Sequence, residues 1–128
     1  MTLTIASVNV NGIRAACKQR NENNPGMNAW LAETSADIVL MQEVRATPEQ
    51  AEKALAPALE MGWHLALADA AAKGRAGVGI LSRTPLADVE VGFGSFSDAG
   101  RWIAATTRDI RVASLYLPSG DTGSPKLD

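Results

Sequence analysis

The sequence predicts an α/β fold in which a mixed β-sheet carries helices on one face. Apolar runs of strand length alternate with helix-like segments as far as Glu60. Strands then follow one another through connections too short for helical crossovers. A hydrophobic share of 46% over 128 residues suits a single domain with a real core.

Thr2 to Val10 is rich in β-branched and apolar residues and stops at Asn11-Gly12, which reads as a strand and a tight turn. Lys18 to Gly26 is a polar surface loop, and Met27 to Ser35, with Met27, Trp30 and Leu31 at helical spacing, is a short amphipathic helix. Ile38 to Gln42 is a brief buried strand. Thr47-Pro48-Glu49-Gln50 starts a helix, with Thr47 as N-cap, Pro48 at the first helical position and Gln50 completing a capping box. That helix runs to about Glu60, bent or shortened by Pro57. Strands follow at Trp63 to Ala68, Gly77 to Ser82, Val89 to Val91, Trp102 to Thr107 and Ile110 to Leu117, with Arg108-Asp109 as a hairpin turn. Pro118 to Asp128 is Gly, Pro and Ser rich. A sheet with helices on one side leaves its other face to be covered by more chain or another subunit.

A net charge of −2 gives no overall basic field, so any nucleic acid must be held by a local patch. One cysteine, Cys17, and one histidine, His64, exclude a disulfide within the chain and a zinc site of Cys and His ligands. The amino terminus lacks the pattern of a signal peptide, and no segment is long and apolar enough to span a bilayer, so a cytoplasmic protein without membrane association is expected.

The most informative segment is Val39-Leu40-Met41-Gln42-Glu43-Val44-Arg45, where an apolar run delivers a carboxylate to a strand end. An ionised Glu there needs a cation, backbone donors or a metal. Asn9 and Asn11 end the first strand in the same way, and oxygen ligands at two strand ends suit Mg²⁺. The alternative is a turn at Asn11-Gly12 and a structural ion pair of Glu43 with Arg45 or Arg14. Lys73-Gly74-Arg75-Ala76-Gly77 is a basic, glycine-bearing loop that could meet phosphate, although alone it reads as a solvated turn. Tyr116 and Arg101 likewise have ordinary strand and sheet-edge readings. His64 reads as an exposed strand residue, and Trp30, Trp63 and Trp102 as packing residues.

The order of these segments changes their meaning. Asn9-Val10-Asn11-Gly12-Ile13-Arg14-Ala15, Met41-Gln42-Glu43-Val44-Arg45, Gly74-Arg75-Ala76-Gly77-Val78-Gly79-Ile80-Leu81-Ser82-Arg83, Gly100-Arg101-Trp102-Ile103 and Tyr116-Leu117-Pro118-Ser119-Gly120 together resemble the exodeoxyribonuclease III class of apurinic/apyrimidinic endonucleases, within the endonuclease/exonuclease/phosphatase superfamily. The resemblance implies one half of a four-layer α/β/β/α sandwich. It implies Glu43 as metal ligand, Asn11 as the residue that helps position water at the metal, and Asn9 as a hydrogen-bonding member of the catalytic network. Tyr116 matches a tyrosine near the scissile phosphate. Arg14, Lys73 and Arg75 match loops contacting the DNA backbone, and Arg101 an arginine beside the site.

The family's later Gly-Asp-x-Asn and Ser-Asp-His blocks do not occur in this sequence. The chain therefore resembles an amino-terminal half, with the second half or a partner chain covering the open sheet. The implied activity of the intact parent is Mg²⁺-dependent hydrolysis of DNA phosphodiesters, with Mn²⁺ as a possible substitute. Its substrates would be double-stranded DNA with abasic sites or 3′ ends, and the 128-residue chain alone is expected to be inactive. Two other readings stand beside this one: a phosphodiesterase of the same superfamily acting on a small phosphate ester, and a noncatalytic binding module.

Overall fold

The computed structural model describes residues 2–18, 26–70, 75–92 and 102–116, and only the backbone at 69, 70, 75 and 76. The elements are β1 (Ile5–Asn9), α1 (Ile13–Ala16), α2 (Met27–Glu33), β2 (Ile38–Ala46), α3 (Pro48–Ala54), α4 (Ala56–Glu60), β3 (His64–Ala70), β4 (Arg75–Ser82), β5 (Ala87–Val91), β6 (Trp102–Thr107) and β7 (Ile110–Leu115). They form two sheets, β1-β2-β4-β3 and β5-β6-β7. β1 and β2 are parallel, joined through α2, and every other neighbouring pair is antiparallel.

Side-chain alternation sorts the first sheet into two faces. Val39, Met41 and Leu81 pack with Ile13, Met27, Leu31, Ala51, Leu55, Ala58 and Trp63 from the helical side. Ile38, Val78 and Ile80 point the other way, into a second cluster with Ile103, Ala105 and Val112 of β6 and β7. Each large aliphatic side chain buried there contributes about 1.5–3 kcal/mol.

The face expected to need more chain or another subunit is thus covered by this chain's own second sheet. A two-residue turn joins β6 to β7, and the inward apolar residues of these strands match the uncovered face. The result is three layers, α/β/β. Because the second sheet packs over β2, β3 and β4, the side chains of Ile5, Ser7 and Asn9 on edge strand β1 remain exposed.

The Thr47 capping box forms in both directions: Thr47 Oγ1 accepts from Gln50 N at 3.1 Å, and Gln50 Oε1 accepts from Thr47 N at 3.1 Å. The single helix expected to reach Glu60 is broken at Leu55, two residues before Pro57, which lacks the N–H to continue the ladder. Arg108 and Asp109, with φ of 51° and 64°, make the left-handed hairpin turn between β6 and β7.

Three further features differ from the sequence reading. β1 starts at Ile5 because Thr4 is engaged with Asp37: Asp37 N donates to Thr4 O at 2.8 Å and Asp37 Oδ2 accepts from Thr4 N at 2.9 Å. α1 was not expected. Trp30, assigned to packing, is 40% exposed, whereas Trp63 is buried under the Arg83 guanidinium, 4.4 Å from its ring centroid. Pro118 to Asp128 and most of the Lys18–Gly26 loop lie outside the described residues. Among those described, no helix is long and apolar enough to cross a membrane.

Gly79 lies where β2, β3 and β4 crowd together. A Cβ there would stand 2.9 Å from Leu67 Cδ2 and 3.1 Å from Ala66 O and Met41 Cε. Overpacking costs about 1–3 kcal/mol and outweighs the roughly 0.4–1 kcal/mol gained by restricting the unfolded chain. Gly79→Ala should therefore lower the urea midpoint by the equivalent of about 1–2 kcal/mol with an unchanged m-value.

Candidate active site

The parallel ladder pairs Asn9 with Gln42, so the chain leaving β1 runs alongside the far end of β2. Val10 N donates to Gln42 O at 3.0 Å and Gly12 N to Glu43 O at 2.8 Å, fastening the turn to β2. Asn11 and Gly12 both have positive φ, 48° and 91°. A glycine suits the second position, where a side chain would be strained despite open space around it.

β2 does not end at Gln42, as the sequence suggested, but continues to Ala46 through an irregularity. Pairing with β4 shifts between Gln42 and Ala46, and Glu43 and Arg45 take left-handed φ of 54° and 53°. A left-handed conformation costs a non-glycine residue about 1–3 kcal/mol, and such strain persists only where its surroundings enforce it. Here it turns Glu43 and Arg45 toward the Asn9–Gly12 turn.

The side chains close into one network. Asn9 Nδ2 donates to Glu43 Oε2, Arg45 Nη2 donates to Glu43 Oε1, and Arg45 Nη1 donates to Asn11 Oδ1 at 3.1 Å. Asn11 N donates to Asn9 Oδ1 at 3.0 Å, fixing that amide so its nitrogen faces the carboxylate. Arg14 adjoins through Nη2, donating to Arg45 O at 3.3 Å. The Glu43 side chain is 16% exposed and that of Arg45 59% exposed. The anion is sheltered and its cation is in solvent.

The ion pair weighed as an alternative to a metal site is therefore present, yet it does not separate Glu43 from Asn11. One guanidinium holds both oxygens. Glu43 and Asn11 thus offer oxygen donors around one positive charge, a set that fits a hard divalent ion completed by water and phosphate. Among the described residues there is no cluster of three or more His, Cys, Asp or Glu.

Behind Glu43 a polar clasp joins the two sheets. Gln42 Nε2 donates to Ser7 Oγ at 3.1 Å and Ser114 Oγ at 3.2 Å, and Ser114 Oγ donates to Met41 O at 2.7 Å. At the opposite end of the sandwich Ser82 and Thr107 hydroxyls meet at 3.0 Å. These two anchors set the direction of β7, whose carboxyl end runs toward the Glu43 end of the first sheet.

Tyr116, two residues beyond Ser114, continues that way, half-buried against the inter-sheet cluster. It bonds to none of Asn9, Asn11 or Glu43. β4 begins at this same end, since Ala76 pairs with Ala46, which brings the Arg75 backbone there. The Arg75 side chain, Lys73 and Arg101 lie outside the described residues. His64 is exposed in β3, as expected.

The sequence reading gave Arg45 only as a structural partner and missed the Gln42–Ser114 clasp. The signals were present: Arg45 lies two residues from Glu43, and Gln42 interrupts an apolar run. Nearby Cys17 is half-buried between α1 and α3, and burial pushes its thiol up from 9.0 to about 11.

Residues 6–120 match the model of the Endonuclease/Exonuclease/phosphatase family. Among solved structures, the chain is similar to an AP endonuclease from Archaeoglobus fulgidus, with 31% identity and a TM-score of 0.80 over 98% of this chain and 45% of that one. It is also similar to the 3′-5′ exonuclease NExo from Neisseria meningitidis, with 30% identity and a TM-score of 0.77 over 96% of this chain and 45% of that one. A 3′ phosphatase NExo from Neisseria bound to product DNA hairpin matches at 28% identity and TM-score 0.77, over 98% and 46% of the respective chains. The chain spans less than half the length of each.

The Cys17 environment gives a direct check of the α1–α3 packing. The thiolate is the reactive species, so alkylation by iodoacetamide should be slow at pH 8 and accelerate only as pH approaches about 11. In denaturant the acceleration should occur near 9. Equal rates in the two states at pH 8 would show that the thiol is not desolvated.

Proposed function

The chain belongs to the endonuclease/exonuclease/phosphatase family, and from that premise we propose that the Asn9–Asn11–Glu43 end of the first sheet is the hydrolytic half-site of a Mg²⁺-dependent DNA phosphodiesterase. The single observation that carries this reading is the convergence of the Glu43 carboxylate and the Asn11 amide oxygen on one guanidinium, that of Arg45, with Asn9 bonded to the carboxylate. The intact parent would cut duplex DNA beside abasic sites and remove nucleotides from 3′ ends, in the cytoplasm. The family and the DNA-processing neighbours support a phosphoester hydrolase of this kind.

Glu43 and Asn11 would hold the divalent ion, which when bound supplies charge neutralisation for the phosphoryl oxygens and the leaving group. Mn²⁺ would serve in place of Mg²⁺. Asn9 presents Glu43 in one orientation, because both ends of its amide are engaged. Arg45, with its side chain largely in solvent, would give up its place to the ion and would then be available to a phosphate oxygen. The Tyr116 hydroxyl, which has no hydrogen-bond partner among the described residues, would donate to a phosphoryl oxygen. Arg14, Lys73 and Arg75 would contact the DNA backbone, and Arg101 would border the site.

Activity is another matter for these 128 residues alone. The sequence lacks the Gly-Asp-x-Asn and Ser-Asp-His blocks that serve the nucleophile in the family it resembles, and each missing group is worth about 10²-fold or more. Incubation with an abasic-site duplex and Mg²⁺ should give no cleavage above background. Robust cleavage abolished by Glu43→Ala would refute the half-site claim while supporting the role of Glu43.

Divalent-ion binding separates the site from its activity. Glu43→Ala should abolish Mn²⁺ binding measured by electron paramagnetic resonance. Arg45→Gln should strengthen it several-fold, because a competing positive charge is removed. Weaker binding in Arg45→Gln would identify the guanidinium as a support for the carboxylate rather than a competitor for it.

A further inference from the structure

Two cavities adjoin the site and share a wall. One, of about 550 Å³, is lined by Asn11, Gly12, Arg14, Ala15, Lys18 and Arg45. The other, of about 500 Å³, lies between α1 and α3 and is lined by Arg14, Cys17, Lys18, Gln50, Lys53 and Ala54. Arg14 and Lys18 line both, so a continuous groove runs from Asn11 to Lys53.

The charge of this groove is one-signed in a chain whose net charge is −2. Among the described residues no carboxylate lines either cavity. Lys18 and Lys53 are exposed and form no ion pair with a described residue. The oxygen of Gln50 is committed to the capping box, leaving its Nε2 as a free donor. The Cys17 thiol, neutral at pH 7, adds no opposing charge. Arg45 at one end is paired with Glu43, but Arg14, Lys18 and Lys53 have no carboxylate partner among the described residues. Such a row of cations recognises a chain of anions, and a nucleic-acid strand presents a phosphate about every 3.4 Å along its axis.

We infer that the α1–α3 groove holds backbone phosphates of the DNA beyond the one at Glu43, with Lys53 and the Gln50 amide as the outermost contact. The inference rests on the reading of the Glu43 end as a DNA-hydrolysing site, and it adds residues of α3 that no sequence signal marked. These contacts set register and affinity and carry no base preference.

The test is fluorescence anisotropy of the full chain with short labelled duplexes of different sequence, titrated with salt in EDTA so that no metal contributes. Lys53→Gln keeps helix propensity and should lower the slope of log K against log salt by about 0.9, equally for every sequence. Lys53→Arg should keep the slope, and so should Arg111→Gln, a change of the cation paired with Glu90 in the second sheet. Duplex binding with an unchanged slope in Lys53→Gln, at an unchanged circular dichroism spectrum, would overturn the groove and leave the Glu43 reading standing. No duplex binding by the unaltered chain would overturn both. The expected slopes together with Mn²⁺ binding indifferent to Glu43→Ala would uphold the groove and sink the hydrolytic reading alone.

Discussion

Everything at the candidate site depends on the parallel pairing of β1 with β2. Setting Asn9 opposite Gln42 lets Val10 and Gly12 donate to the carbonyls of Gln42 and Glu43, so the turn after β1 is held by the strand that carries the carboxylate. A register slip of one residue would send Asn9 to the other face of the sheet. It would also dissolve the amide contact that orients Glu43. The left-handed conformations of Asn11, Glu43 and Arg45 are local costs that this pairing sustains.

Register alone would leave the site on one sheet. The Gln42–Ser114 clasp behind Glu43 and the Ser82–Thr107 hydroxyl pair at the far end align the second sheet with the first, directing the end of β7 to the ends of β1 and β2. Both connections are polar bonds within apolar surroundings, where leaving a partner unmade costs about 1–3 kcal/mol. Such bonds favour one alignment of two otherwise greasy faces. Tyr116 inherits its place from that alignment.

Much of this was legible in the sequence, for local reasons. The Thr47 capping box, the Arg108-Asp109 turn and strand β6 follow from short-range chemistry and were read as they stand, whereas Pro57 was read as bending or shortening one helix that is in fact split at Leu55. The partition of the strands into two sheets was not legible, because which face of Ile38, Val78 and Ile80 meets Ile103 and Val112 is a long-range choice. The extension of β2 through Glu43 and Arg45 was hidden too, since left-handed φ at a Glu and an Arg runs against local propensity. Asn9, Asn11 and Glu43 were picked out as oxygen donors at strand ends. Arg45 was overlooked as a member of the site because its charge suggested a mere counterion, and the α3 contribution of Lys53 and Gln50 emerges only when α1 and α3 are seen side by side.

The central claim is that the ends of β1 and β2 form one cation site, and paramagnetic broadening by Mn²⁺ in an NMR spectrum tests it most directly. At substoichiometric Mn²⁺ the side-chain amides of Asn9 and Asn11 and the backbone amide of Gly12 should broaden first, before those of residues at the Ser82–Thr107 end. Broadening centred on the acidic residues of α3, Glu49 and Glu52, with Asn9 and Asn11 untouched, would contradict it.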